Sequence, residues 1–406
     1  ILLSLLAQNV INVTDTAFLG HVSEVALGAS AMGGLFYICI FTIAFGFSTG
    51  SQIVIARRNG EGRYSDVGPV MIQGIMFLLL IAILMFGFTK AFGGNIMRLL
   101  VSSESIYEGT MEFLDWRIYG FFFSFVNVMF RALYIGITRT KVLTINAVVM
   151  ALTNVILDYA LIFGKFGLPE MGIKGAAIAT LISQLFNLVF IVIGFVLCIK
   201  KDGDKPVLSL HFKKITIRDY LIMIMPILIS KFLWSLGQNV ESAVYGHLGT
   251  SNLAAYTLTG PIQALIVGAL SGLSAAAGVM IGKRLGRKEY NEAYAESKKI
   301  MYAGLLGGVA VSALLILLAG AYTRLYRVDD SVKELGKTLL IVFALYAPVK
   351  VENMILGGGI IRSGGNTKTI MIIDIIGTWC IGIPLCLLAA YVFKWGNIGV
   401  QGVQTR

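Results

Sequence analysis

The segment TDTAFLGH, residues 14–21, returns later in the chain as VESAVYGH, residues 240–247. The two segments align without a gap at an offset of 226 residues (240 minus 14), and matched residues continue downstream as far as Tyr64 and Tyr290. One residue later in register, Thr140-Lys141 lies over Thr367-Lys368. A repeat of this length indicates that the chain consists of two related halves.

The composition indicates that both halves fold in a membrane. Of the 406 residues, 57% are hydrophobic and 14% are charged, with a mean hydropathy of +0.81, whereas soluble domains are about half apolar and a quarter charged. A membrane helix needs about 20 mostly apolar residues. Such runs predict helices at 1–20, 26–56, 68–91, 107–137, 142–164, 173–199, 220–246, 252–282, 300–323, 334–361 and 369–393, with the start of a twelfth.

The predicted fold is an all-α integral membrane protein. Each half has six predicted helices, an even number, so both halves enter the membrane in the same direction and are related by a pseudo-twofold axis along the membrane normal. We expect two six-helix bundles around a central cavity, with the twelfth helix truncated at Arg406. The predicted parts are an N-terminal lobe (1–200), a cytoplasmic linker (201–219) and a C-terminal lobe (220–406).

The net charge of +11 is spread over short loops and does not form one basic face. This distribution of basic residues indicates the membrane topology of the chain and argues against a nucleic-acid partner. Basic residues concentrate in one set of alternate loops, which the positive-inside rule places in the cytoplasm. We therefore expect a multi-pass protein of the inner (plasma) membrane, with a cytoplasmic N-terminus, that contacts membrane lipids as a monomer.

No polar segment has the spacing of a nucleophile elbow, a phosphate-binding loop, a metal site or paired catalytic carboxylates. The four cysteines lie inside apolar runs without a CxxC pair, which predicts packing and not disulfides. We therefore predict no enzymatic activity and no cofactor. The glycine run 357–359 predicts close approach of helix backbones.

Ionisable residues inside apolar runs are the candidates for function. A charge at the centre of the bilayer costs about 2.5 to 3.5 kcal/mol on insertion scales, so such residues usually mark an ion or substrate path. Asp15 lies in the first predicted helix, while Asn154 and Asp158 stand four residues apart on one face of the fifth. The two carboxylates could share a proton or coordinate sodium. The alternative is that both only hydrogen-bond neighbouring helices.

The second half does not repeat this pattern. It has Glu241 at the position of Asp15 but aliphatic residues at the positions of the amide and the second carboxylate, so the predicted cation site is confined to the N-terminal lobe. For the charged residues of the C-terminal lobe, mutual neutralisation is the alternative to a cavity role. Arg117 and Arg131 are predicted to be structural or interfacial. The candidate C-lobe cavity residues are Lys231, Glu241, Lys350, Glu352 and Asp374.

Four segments in order, together with the two six-helix repeats, carry a family resemblance. They are NVTDTAFLGH (12–21), NVILDYALIFG (154–164), GIKGAAIAT (172–180) and RSGGNTKT (362–369). The chain resembles the MATE exporters over essentially its whole length. The resemblance implies export of cationic amphiphilic small molecules in exchange for Na⁺ or H⁺ by alternating access.

The resemblance also implies a set of site residues. The implied cation-coupling residues of the N-terminal lobe are Asp15, Asn154, Asp158, Thr180 and Gln8, with Na⁺ as a candidate ligand of the first three. Trp234 stands where NorM-type members carry an acidic residue, and the basic Lys231 lies nearby, so a C-lobe coupling site is not expected. The alternative function is a lipid or lipid-linked oligosaccharide flippase of the same superfamily, which Lys231 and Lys350 would suit.

Overall fold

The computed structural model describes residues 11, 14–15, 17–101, 103–201, 217–247, 250–324 and 329–392. Within these ranges the chain is almost entirely helical and contains no strand. The predicted all-α class is therefore confirmed. Gln8, most of the predicted linker and the predicted twelfth helix lie outside the described residues.

Two compact units divide the chain, Ile1–Ile217 and Arg218–Arg406. In the first unit, α1 is described at residues 11, 14–15 and 17–22. Several helices continue beyond the predicted apolar runs, because a helix does not stop where the bilayer ends. The remaining helices of this unit are α2 (Glu24–Gly60), α3 (Tyr64–Leu100), α4 (Glu104–Arg117), α5 (Gly120–Gly136), α6 (Thr140–Ile162) and α7 (Gly172–Lys201).

The later helices begin with α8 (Ile217–His247), α9 (Thr250–Gly286), α10 (Tyr290–Arg324) and α11 (Asp330–Asn353). The predicted run 334–361 changes to π-helical bonding over Met354–Ile361. The predicted run 369–393 changes bonding repeatedly, which a hydropathy pattern does not reveal. Its described parts are α12 (Thr367–Ile375), a π-helical stretch (Ile376–Gly382), α13 (Ile383–Leu387) and a second stretch (Leu388–Val392).

The π-helical stretch Met354–Ile361 packs directly on the backbone of α9. A Cβ atom on Gly359 would lie 2.6 Å from the carbonyl oxygen of Ser274. The hydroxyl of Ser274 donates to the carbonyl of Met354 at 2.6 Å, which gives a main-chain acceptor of the altered helix a partner. The close backbone approach predicted from the glycine run is confirmed.

Among the described residues, eight helices are long and apolar enough to cross a membrane. The pair α4 and α5 would form a further span, but its two parts meet at a bend of 54°. The prediction of one continuous helix over 107–137 is therefore wrong. At the bend, a Cβ atom on Gly120 would lie 2.5 Å from the side-chain amide of Gln184, so the turn fits against α7 only because residue 120 is a glycine.

The sequence repeat is also visible in the backbone of the connecting turns. Gly62 and Lys288, 226 positions apart (288 minus 62), have φ angles of +71° and +62°. The residue after each donates to the carbonyl five positions earlier, at 3.0 and 3.1 Å. Thr138 and Gly365, which match in the second register, have φ angles of +64° and +89°. Both registers of the repeat therefore end equivalent helices with a left-handed residue.

Candidate cation site in the N-terminal unit

An apolar cluster joins five helices of the first unit beside the predicted cation site. Phe18, at the edge of the cluster, contacts Tyr159 of α6 and Phe163, which follows α6, with ring centres 6.2 and 5.6 Å away. Packing of this kind fixes α1 against α6 and α7. We call the set the N-unit apolar cluster: Leu19, Ala26, Ala29, Phe113, Ile162, Ile173, Ala176 and Ala177.

The predicted site residues stand one helical turn from this cluster. Asp15 and Asp158 each lie four residues before a member of it, and Thr180 lies four residues after one. Asn154 and Asp158 are fully buried, and Thr180 is 6% exposed. The structure therefore attaches α1, α6 and α7, which carry these residues, to one apolar cluster.

Asp15 and Asp158, which we call the acid pair, interact directly through their side chains. Both oxygen atoms of Asp158, one of Asp15 and both polar atoms of the Asn154 amide are nonetheless buried without a hydrogen-bond partner among the described residues. Both observations agree, because two carboxylates offer only acceptors and can bond each other only through a proton or a shared cation. Each unsatisfied buried group costs about 1 to 3 kcal/mol.

Thr180 of α7 is the predicted site residue that would add one more oxygen. Its hydroxyl donates to the carbonyl of Ala176 at 2.9 Å, so it can act only as an acceptor toward another ligand. In the described part of the chain, no group of three or more His, Cys, Asp or Glu side chains is arranged to hold a metal ion. The set of carboxylate, amide and hydroxyl oxygens suits a hard, exchangeable cation or a proton.

Arg117, at the end of α4, brings a positive charge to the acid pair. Its guanidinium lies 4.1 Å from the ring centre of Tyr37 and acts electrostatically on both acids. With the amide of Gln184 in its hydrogen-bonded orientation, the amide oxygen accepts from Arg117 Nη1 at 3.1 Å and the nitrogen donates to the carbonyl of Gly120 at 3.2 Å. The sequence had predicted only a structural or interfacial role for this arginine.

Two sequence signals, taken together, could have pointed to this arrangement. Arg117 stands three residues before Gly120 inside an apolar run, and Gln184 lies one turn after Thr180 on the same face of α7. Neither signal alone predicts a contact, because the contact depends on the bend between α4 and α5.

A cavity of about 620 Å³ adjoins the N-unit apolar cluster. Ala26 and Ile173 belong to both the cluster and the cavity wall, which also includes Glu108, Glu112 and Glu170. Along α1, seven residues separate the acid pair from the part of the wall at residue 22, or about 10 Å of helix.

In the second unit, Asp374 belongs to a hydrogen-bonded network. Arg362 Nη2 donates to Asp374 Oδ2 at 3.2 Å and to the hydroxyl of Ser230 at 3.1 Å. Ser230 in turn donates to the same carboxylate. Lys231 lies close enough to Arg362 and Asp374 to interact with both electrostatically. The partner that most directly neutralises Asp374 is thus Arg362, which sequence analysis had not considered.

The described contacts of Lys350 and Glu352 lie elsewhere in this unit. The Nζ atom of Lys350 lies 5.6 Å from the ring centre of Phe343. Glu352 has one buried carboxylate oxygen without a partner among the described residues, near Gly304 of α10. Glu241 lies on α8, but its side chain is outside the described part. Of the five candidates, the described contacts bring together Lys231 and Asp374.

Comparison with known proteins identifies the family to which this chain belongs. The MatE family model matches residues 1–160 and 226–388. The chain belongs to the MatE family. It is therefore a membrane transporter and not an enzyme, as the sequence predicted.

Relatives and solved structures match over nearly the whole chain. "Probable multidrug resistance protein NorM" of Pasteurella multocida is 25% identical over 388 residues, which are 95% of this chain and 83% of that protein. "Multidrug resistance protein MdtK" of Edwardsiella ictaluri is 23% identical over 397 residues, 96% of this chain and 85% of that protein. The Vibrio cholerae MATE transporter VcmN in the bent form has a TM-score of 0.86 at 18% identity, covering 100% of this chain and 90% of that chain. At this identity the structural likeness shows the fold.

Proposed function

We propose that this MatE family member exports cationic amphiphilic small molecules in exchange for Na⁺ or H⁺. The observation that carries the proposal is the acid pair, three of whose four carboxylate oxygens, together with the amide oxygen of Asn154, are buried without partners among the described residues. Such groups are costly in a membrane unless a ligand compensates them. The multidrug resistance names of the relatives support the substrate class.

In this proposal the acid pair binds the coupling cation and Asn154 and Thr180 contribute neutral oxygens. Binding a cation removes the repulsion between the two carboxylates, and it therefore favours the conformation that holds them close together. Coupling requires that the two main conformations bind the cation with different affinity. Cation binding from outside would favour the state that releases substrate.

We also propose that the protein lies in the plasma membrane with its N-terminus in the cytoplasm. The turns after α2 and α9 carry clusters of basic residues, including Arg63 and Lys288. These turns are equivalent in the repeat, so the positive-inside rule assigns the same side to both. The loop between α6 and α7 then lies outside.

Transport in proteoliposomes tests the proposed function. Vesicles containing the protein are loaded with ethidium, a fluorescent organic cation, and a Na⁺ or H⁺ gradient is imposed separately. We expect one of the two gradients to accelerate ethidium efflux. Asp158→Asn and Asp15→Asn should each abolish the acceleration, because each removes one carboxylate from the pair. Full gradient-driven transport in both variants would reject the proposal.

Asp115→Asn is the matched control, because Asp115 belongs to the same unit but its side chain is 54% exposed and pairs with Lys90. This variant should transport normally.

The same vesicles, prepared with a fluorescent phospholipid, test the flippase alternative, which the excess positive charge at Lys231 and Arg362 favours. Lipid flipping without gradient-driven ethidium efflux would establish the alternative.

A further inference from the structure

Arg117 is held in place by groups that are themselves buried. Tyr37, 4% exposed, stacks on the guanidinium, and its hydroxyl donates to Ser124 at 2.8 Å. Gln184, 6% exposed, accepts from the guanidinium and spans the bend to Gly120. A planar guanidinium that stacks on one side chain and donates a hydrogen bond to another is held more firmly than by either contact alone. The positive charge therefore has a defined position.

This charge acts on the acid pair without occupying it. Arg117 influences Asp15 and Asp158 electrostatically, yet both oxygens of Asp158 and one of Asp15 have no hydrogen-bond partner among the described residues, Arg117 included. A guanidinium in contact would have used the carboxylate lone pairs. At a distance it compensates charge and leaves those lone pairs available to a mobile cation.

Charge neutrality then limits what the site can hold. The acid pair carries two negative charges when ionised, and a guanidinium is permanently positive in proteins. The three groups together have one negative charge left to neutralise. A second cation would leave a net positive charge in a buried, apolar place, which is unfavourable.

We propose that Arg117 is a fixed counter-cation of the acid pair and limits the site to one exchangeable positive charge per transport cycle. The proposal rests on the proposed function of the acid pair as the coupling site. It assigns Arg117 a positioning and charge-setting role and predicts the stoichiometry of exchange. A purely structural arginine, one that only ends α4, would leave the stoichiometry unchanged.

Cation binding to the purified protein tests this role, with radioactive sodium at fixed pH and proton uptake measured with an indicator dye. The wild type should bind one cation, as sodium or as a proton. Arg117→Gln should bind the first cation at least tenfold more tightly and take up a second, whereas Arg117→Lys, which keeps the charge, should still bind one. Arg98→Gln is the matched control, because Arg98 also stacks on a tyrosine of this unit, 5.2 Å from the ring centre of Tyr107.

A charge-compensation series tests the counter-cation role of Arg117 even if Arg117→Gln alone does not fold. Asp158→Asn leaves a neutral set of groups and should bind no cation, whereas the double variant Asp158→Asn/Arg117→Gln restores one negative charge and should regain binding of one cation. Unchanged binding in Arg117→Gln, or no recovery in the folded double variant, would overturn the role of Arg117. Normal binding in Asp158→Asn would instead overturn the proposed function of the acid pair.

Discussion

Asp374 shows that a carboxylate inside an apolar run does not have to belong to a transport site. Its side chain is 38% exposed and accepts hydrogen bonds from Arg362 and Ser230. Asp158, by contrast, is fully buried and has both oxygens without a partner among the described residues. The sequence counted both among the ionisable residues inside apolar runs, Asp158 as a cation ligand and Asp374 as a candidate C-lobe cavity residue. The two carboxylates differ in whether hydrogen-bond donors surround them, which only the structure shows.

Asp374→Asn should lower the stability of the second unit. The change removes the charge that compensates Arg362, whose side chain is 8% exposed. We expect a loss of about 1 to 2 kcal/mol in unfolding free energy, less than for a fully buried pair because Asp374 is partly exposed. Thermal unfolding of the purified protein in detergent measures the effect.

Asp330→Asn is the control for this change. Asp330 pairs with Lys333 at 2.9 Å, but its side chain is 97% exposed. Loss of an exposed pair changes stability by less than about 1 kcal/mol. Equal destabilisation by the two substitutions would show that the network around Arg362 contributes no more to the unfolding free energy than an exposed ion pair does.

At the scale of elements, α6, which carries Asp158, crosses α7, which carries Thr180, at a close approach. A Cβ atom on Gly175 would lie 2.6 Å from the carbonyl oxygen of Leu161, so these helices approach through bare backbone. The carbonyl belongs to α6, three residues after Asp158. Any separation of the helices at this point therefore also changes the cation site.

Gly175→Ala should destabilise the first unit by about 1 to 3 kcal/mol, the usual cost of overpacking. It should also weaken cation binding, because Thr180 lies on the displaced helix. Gly87→Ala in α3 is the control, since a Cβ atom there would meet nothing within 4 Å. Thermal unfolding and sodium binding are measured on both variants. Wild-type behaviour of Gly175→Ala in both measurements would refute this account of the crossing.

The bend between α4 and α5 is an element that sequence analysis did not predict. The run 107–137 carries its charged residues in its first part and at Arg131, and hydropathy does not distinguish a straight helix from two helices at 54°. Gly120 is the local signal, but its effect depends on Gln184 of α7. The position of Arg117 depends on this bend, and it therefore could not be predicted from the sequence.

At the scale of the whole molecule, the proposed topology can be tested by labelling single cysteines. The four native cysteines are replaced by serine, and cysteine is introduced at the exposed positions Lys288 and Leu168. A membrane-impermeant maleimide should label Leu168→Cys in intact cells. It should label Lys288→Cys only after permeabilisation, because the positive-inside rule places that turn in the cytoplasm. Labelling of Lys288→Cys in intact cells would reverse the proposed orientation.

The sequence by itself determined the helical membrane class, the internal repeat, the family and the list of buried acids. These properties depend on composition, on local periodicity and on residue types at fixed spacings, all of which can be counted along the chain. Only the tertiary structure decided that Asp15 meets Asp158, that Asp374 binds Arg362 and that Arg117 stands beside the acid pair. Such pairings depend on where helices bend and cross, and a single close contact such as that at Gly120 or Gly175 sets this geometry across residues far apart in sequence.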